Sequence, residues 1–300
     1  MSSSSKWFLG ILGVLLLLAL GFTFLVFSVV KTTGSAELVT SGSGDKIGLV
    51  ELKGMIVSAE EIVRQVKMYR EDRSIRAILL RIDSPGGGVV ASQEMYEEVK
   101  KTRDAGKPVV VSMGSLAASG GYYVACGASK IVANRATLTG SIGVISEFLQ
   151  LQDALAKLGI EVKTIKTGAL KDAGSSTRKM TEVDRKYFQE LMDDVLKQFI
   201  GVVATERKLD TATVRALADG RVFTGEQAVS LKLIDTLGTY EDAVTITARI
   251  AGIRGEPALV KERKRRSFWD GLLGDVGDAA ASVRQELLDR PLLSYKYTGQ

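Results

Sequence analysis

Apolar and polar positions repeat with two different periods along the middle of this chain, and the switches between them mark out strands and helices. Residues 47–53 alternate apolar with polar, as a strand does, and residues 59–70 repeat at helical spacing. Residues 75–83 are a nearly continuous apolar run ending at Ser84-Pro85-Gly86-Gly87-Gly88, the pattern of a strand covered on both faces. A helix is predicted over 89–103 and a strand over 108–113, followed by a glycine-rich turn at Ser119 that opens a short helix to about Ala128. Further strands are predicted at 130–133 and 161–165. One long amphipathic helix fits 180–208, with Thr181 as N-cap and Asp184 completing an approximate capping box. Shorter helices fit 211–218 and 225–231. Strands separated by helices of this length predict an α/β fold of repeated β-α units around a largely parallel sheet.

The two ends read differently. Residues 7–30 carry no charged side chain, which is long enough to span a bilayer as a helix. The apolar core is too long for a cleavable signal peptide and lacks a small-x-small exit, so it reads as a retained anchor. Lys6 precedes the span and Lys31 follows it, and this balance leaves the orientation open. The expected organisation is an anchor at 1–31, a Gly/Ser/Thr-rich flexible linker at 32–45, a globular domain at 46–252 and a basic, amphipathic tail at 253–300.

Composition narrows the chemistry. With 300 residues, 45% of them apolar and only 4 prolines, the chain has enough material for one large core. The net charge of +5 is dispersed, without the basic stripe and aromatic platform of a nucleic-acid binder. A single cysteine, Cys126, excludes an intrachain disulfide framework and reads as a buried filler. The histidine count is 0, which excludes a Ser-His-Asp triad and any metal site built on imidazole.

A serine hydroxyl is a weak nucleophile until a base takes its proton. The run Gly114-Ser115-Leu116-Ala117-Ala118-Ser119-Gly120-Gly121-Tyr122-Tyr123 offers Ser119 in a tight strand-to-helix turn, and without histidine the natural base is lysine. An ammonium of ordinary pKa, about 10.4, accepts no proton at neutral pH. Burial in an apolar pocket lowers that value. Lys171, beside Gly168, Ala169 and Leu170, fits such a pocket provided that Asp172 points away. The glycine turns at 84–88 and 119–121 each follow a predicted parallel strand, where sites of parallel sheets gather. The Gly120 N–H and one from the first turn would form an oxyanion hole. There is no P-loop and no dinucleotide fingerprint. These patterns alone do not rank Ser119 above Ser141, since both lie in glycine turns.

Taken together, Ser84-Pro85-Gly86-Gly87-Gly88, the run from Met113 to Tyr123, Thr137-Leu138-Thr139-Gly140-Ser141-Ile142-Gly143-Val144, the run from Lys166 to Lys171, Gly220-Arg221-Val222-Phe223-Thr224-Gly225 and Leu233-Ile234-Asp235 resemble the signal peptide peptidase A family, in order and spacing, over residues 46–252. The resemblance implies a membrane-anchored serine peptidase whose fold is related to the Clp protease subunit and the crotonases. It implies Ser119 as nucleophile, Lys171 as general base, Gly87 and Gly120 as oxyanion donors and Ser141 as the residue that orients the lysine. One copy of the motif set resembles the family's short form. This in turn implies a ring-like homo-oligomer with the lysine supplied by a neighbouring subunit, no metal or cofactor, and a catalytic domain on the outer face of the bacterial cytoplasmic membrane. Remnant signal peptides or other short, apolar, extended peptides would be the substrates. Two other classes compete: a crotonase-type acyl-CoA hydratase or isomerase, and a non-catalytic membrane scaffold of the same fold. For the tail, the basic run at 261–266 followed by Phe268, Trp269, Leu272 and Leu273 admits a solvated linker or a membrane-proximal segment. Residues 292–297 are extended enough to enter an active-site groove by strand addition.

Overall fold

The computed structural model describes residues 36–264 and 294–297, with isolated helical positions at 7, 16, 17, 20 and 21. The rest of the expected anchor at 7–30 and the amphipathic stretch at 268–273 lie outside the described residues. Among the described residues no helix is long and apolar enough to cross a membrane. The chain divides into two compact units, one of residues 1–39 and 261–289, the other of residues 40–260 and 290–300. The described residues of the first are the five helical positions and strand residues 36–39 and 261–264. A strand, β1 (Ala36–Ser41), therefore stands within the stretch expected to be a linker.

The second unit is a mixed α/β body. Its elements are β2 (Lys46–Lys53), α1 (Glu60–Glu71), β3 (Ile75–Ser84), β4 (Gly86–Gly88), α2 (Val89–Asp104), β5 (Val109–Ala118), α3 (Gly120–Cys126), β6 (Lys130–Ala133), β7 (Leu138–Gly140), α4 (Gln152–Lys157), α5 (Glu182–Arg207), α6 (Thr211–Leu217), β8 (Val222–Thr224), α7 (Gly225–Ser230), β9 (Thr236–Leu237), α8 (Tyr240–Ile250), the first part of β10 (Ala258–Lys264) and β11 (Ser294–Lys296). Strands β2, β3, β5, β6 and β9 lie side by side and parallel. Ile78, Leu80, Val109 and Val111 face one way, against α1, α2 and α5 through Val66, Met95, Val99 and Phe199. Leu79, Val110 and Val132 face the other way, against Ala243, Val244 and Ala248 of α8. Helices on both faces explain why β3 and β5 read as unbroken apolar runs instead of alternating ones.

Strand β5 does more than the sequence implied. It runs on to Ala118, pairing with β6 at Val110–Ser112 and with β7 at Leu116–Ala118. The expected strand at 161–165 is absent: that segment is irregular and exposed, with Val162 and Ile165 in solvent. Alternating residues make a strand only against a partner edge, and no described strand pairs with this one. The helix α8 was not expected, although its capping box, Thr239 with Asp242, is complete. The box expected at Thr181 and Asp184 is also formed, and starts α5 at Glu182. Cys126 is buried, and that burial pushes its thiol up to about 12, so it packs rather than reacts.

Candidate active site

The sheet register sets three turns next to one another. Ser84, the last residue of β3, lies opposite Ala117, and Ala118, the last residue of β5, lies opposite Gly140, the last residue of β7. The chain therefore leaves the sheet at 84–88, 119–121 and 140–142 along one edge, the carboxyl ends of parallel strands, where such sheets carry their sites.

Ser119 occupies the middle turn. Its φ of 53° and ψ of −114° are costly for a residue with a side chain, on the order of 1–3 kcal/mol. Two backbone bonds impose them: Ser119 N–H donates to Gly140 O, and Tyr123 N–H donates to Ser119 O, both at 2.8 Å. Such a strained strand-to-helix corner aims the side chain out of the backbone. Ser119 is 1% exposed, and its Oγ has no hydrogen-bond partner among the described residues. Buried hydroxyls are nearly always paired, which singles this one out among the described residues. Ser141 follows in the neighbouring turn, buried and also at positive φ, 51°. Its N–H donates to Arg221 O at 2.9 Å. A cavity of about 520 Å³ opens beside it, lined in part by Gly143, Val144, Leu196, Asp219 and Lys296.

The amides of β4 divide their work. Gly86 N–H donates to Ser84 Oγ at 3.1 Å, and Gly88 N–H to Ile56 O at 2.7 Å. Gly87 N–H faces the opposite edge, where β11 runs antiparallel with Tyr295 opposite Gly87. Tyr297 N–H donates to Pro85 O at 2.8 Å. Paired residues alternate along an antiparallel ladder, so Tyr295 and Gly87 also form a hydrogen-bonded pair. Gly120 N belongs to the same cluster. A Cβ built on Gly86 would meet Tyr295 O at 2.0 Å and Gly120 N at 2.6 Å, and one on Gly120 would meet Gly87 N and Tyr295 O at 3.2 Å each. The Gly87 and Gly120 amide nitrogens and the Tyr295 carbonyl oxygen are thus close neighbours beside Ser119. Only glycine leaves room for that approach. On its other edge β11 pairs with Ile145, through reciprocal bonds of 3.0 Å with Ser294.

Lys171 is not brought to this cluster within the chain. It is exposed, at the near end of a turn-rich segment that becomes half-buried from Asp172 to Arg178, with Leu170 also in solvent, so the described residues do not form the apolar pocket expected around it. The reason is local: Lys171 stands in the exposed part of the segment, ahead of the part that packs on Phe148 and Phe188. Asp172 does point elsewhere, pairing with Lys166 Nζ at 2.6 Å and Arg178 at 2.8 Å. The Arg178 guanidinium also binds Asp184 at the start of α5. Arg178 first, then Lys166, holds the Asp172 carboxyl at about 2.

Two contributors were missed from sequence: Ile56 and Ile145 act through backbone atoms alone, which no side-chain pattern signals. The strand expected at 292–297 forms over Ser294–Lys296 and pairs with β4, and its Tyr295 is fully buried against Tyr123 and Phe199.

Comparisons with known proteins bear on this arrangement. The model of peptidase family S49 matches residues 101–254. The chain is 43% identical over 210 residues to slr0021, a candidate protease of Synechocystis sp., covering 69% of this chain and 75% of that one. It is 35% identical over 253 residues to SppA, a candidate signal peptide peptidase of Enterococcus faecium, covering 80% and 74%. With Protease 4 of Salmonella typhi the identity is 34% over 269 residues, 84% of this chain and 43% of that protein. Among solved structures, a ClpP1 mutant from Listeria monocytogenes superposes with a TM-score of 0.45 at 15% identity, covering 65% of this chain and 93% of that one.

Proposed function

The chain belongs to peptidase family S49 and is an SppA-type peptidase, and from that footing we propose that it is a membrane-anchored serine peptidase working through a Ser119–Lys171 dyad on extended, apolar peptides. Ser119 Oγ attacks the substrate carbonyl. The Lys171 amine takes the hydroxyl proton and then hands it to the leaving amine, and water resolves the acyl-enzyme. The N–H groups of Gly87 and Gly120 hold the oxyanion, and Ser141 orients the lysine. That lysine comes from a neighbouring subunit of a ring-like homo-oligomer and enters through the cavity beside Ser141. The parallel β-α units, with their turns gathered at one sheet edge, support kinship with the Clp and crotonase folds. Residues 7–30 would anchor the body at the outer face of a bacterial cytoplasmic membrane, near remnant signal peptides.

The observation that carries this reading is the Ser119 hydroxyl: buried, without a hydrogen-bond partner among the described residues, held at a strained corner and close to the Gly87 and Gly120 amides. The groove between β4 and Ile145 supports extended peptides as substrates, because both of its edges offer backbone hydrogen bonds. The test is labelling by a fluorophosphonate together with cleavage of a fluorogenic peptide. Both are expected for the full chain and absent from Ser119→Ala. Labelling at another serine, or peptide turnover that survives Ser119→Ala, overturns the assignment.

A further inference from the structure

The proposed oxyanion hole draws one of its donors from β4, which consists of the glycines Gly86–Gly88. The strand has no side chain to hold it in place, and glycine has more backbone freedom to lose than any other residue. Gly86 and Gly87 use that freedom, at φ of 94° and 156°. What fixes them must bind their backbone from outside. Ile56 takes one side: its N–H donates to Gly86 O at 2.8 Å, and its carbonyl accepts from Gly88 N–H at 2.7 Å. Two serine hydroxyls take the other groups of Gly86 and Gly88. Ser84 Oγ accepts from Gly86 N–H at 3.1 Å. Ser92 Oγ, in the first turn of α2, donates to Gly88 O at 2.8 Å. Both serines are 0% exposed.

Both hydroxyl-bearing residues also touch the nucleophile turn. A Cβ built on Gly120 would meet Ser92 Oγ at 2.5 Å and Gly87 N at 3.2 Å. One built on Gly121 would meet Ser84 O at 3.1 Å and Ser84 Cβ at 3.5 Å. The same two serines thus tie down β4 and pack against the start of α3. We infer that Ser84 and Ser92 are positioning residues of the oxyanion hole: they fix the backbone on either side of Gly87, and Ser92 sets the spacing between the Gly87 and Gly120 amides. The inference rests on the peptidase reading, since it concerns how that site is held.

The physical cause is preorganisation. Amide dipoles stabilise a developing oxyanion to the extent that they are aimed before the charge appears, so that nothing has to reorient during the reaction. A run of glycines left to itself would meet that demand poorly. Helix stability does not explain a serine at 92, because alanine is the better helix former, and a serine bonded back to the carbonyl four residues earlier slightly weakens a helix. Bulk does not explain it either, because a larger side chain would press on Gly120. A small side chain that also carries a donor meets both demands. At 84 the hydroxyl acts as acceptor for an amide that would otherwise be buried without a partner, which is costly.

The experiment uses the full chain and a fluorogenic peptide. Fluorophosphonate titration run to its end point counts intact Ser119 sites, so that kcat is free of any loss of folded protein. Ser92→Ala is expected to lower kcat by about tenfold and to leave KM within about twofold. A peptide aldehyde, whose hemiacetal oxygen occupies the hole, should lose affinity by the same factor as kcat. If Ser92→Ala gives too few sites to assay, Ser84→Ala makes the same measurement from the other tie. A compensating pair separates positioning from general damage. Gly120→Ala alone should cost about 10²-fold in kcat, because its methyl would meet Ser92 Oγ at 2.5 Å. Adding Ser92→Ala removes that obstacle, so the double variant should be more active than Gly120→Ala. Independent sites would instead multiply their losses, to about 10³-fold. An unchanged kcat in both serine variants, a loss that falls on KM alone, or multiplied losses in the double variant overturns the inference while the parent chain still cuts peptide. A parent chain without Ser119-dependent turnover overturns the peptidase reading and this inference with it, so the two failures give different results.

Discussion

At Ser119 and its neighbours the argument turns on what a single hydroxyl lacks. The chain sets Ser119 at a strained corner near the Gly87 and Gly120 amides, and no described side chain hydrogen-bonds its hydroxyl. If Ser119 and Lys171 act as one unit, Ser119→Ala and Lys171→Ala should each lower kcat/KM by about 10³-fold or more, and the double variant should be hardly worse than either. Lys171→Arg should be equally dead, since guanidinium never gives up its charge. Steady-state kinetics on the three proteins, with circular dichroism to show intact folds, decides it. The sign of the pH dependence follows from the role: a lysine base works only when neutral, so kcat/KM should climb as pH rises and then level off. A rate flat from mildly acid to alkaline pH would exclude it. Gly87→Ala tests the hole, because the new Cβ would meet Ile56 O at 2.1 Å and the amide would have to move. A loss of about 10²-fold in kcat is expected. The absence of histidine is what directs the proposal to a lysine base, on composition alone. The ranking of Ser119 over Ser141 was not legible from residue patterns, because both sit at positive φ in glycine turns. That ranking came from the resemblance of the whole motif set, which places the nucleophile in the run from Met113 to Tyr123.

The element that carries Lys171 is held by charge. Asp172 binds Lys166 and Arg178, and Arg178 reaches on to Asp184, which also closes the capping box of α5. The lysine is thereby tied to the start of the longest described helix. Arg178→Met should free that segment, and kcat should fall by about tenfold while KM changes little, since positioning rather than binding is lost. A pH test isolates the same tie. Arg178 holds the carboxyls of Asp172 and Asp184 below their ordinary range, Asp172 at about 2. Depressed folded values mean that the stabilisation is complete above the unfolded value near 3.9. It is lost as pH falls from there through the folded value. Wild-type Tm should drop over that window, and the drop should be shallower in Arg178→Met; parallel Tm–pH curves would count against the tie. At this scale the sequence spoke clearly where chemistry is local. The Thr181–Asp184 box and the β-α alternation through α2 and β5 were readable. The strand expected at 161–165 failed because Glu161 and Val162 through Ile165 have a strand's rhythm but no edge to pair with.

For the whole molecule, one fact organises the rest: the chain presents an unpartnered buried serine in one place and an exposed lysine on an ion-paired segment in another. If the lysine of one subunit serves the serine of the next, a site is a property of the ring and not of the chain. Mixing two dead proteins then tests it directly. Each site in a ring of randomly mixed Ser119→Ala and Lys171→Ala subunits draws its serine from one subunit and its lysine from another. About a quarter of sites should therefore carry both intact, and the mixture, refolded or exchanged together, should recover about a quarter of wild-type turnover. A dyad built within one chain cannot be rescued in this way, because every chain in the mixture lacks one member. Recovery should also scale with the product of the two mole fractions and peak at equal amounts. A mixture that stays inactive at every ratio, while sedimentation shows mixed rings, would place the base in the same chain as Ser119. It would then require Lys171 to move inward from the exposed position it holds here.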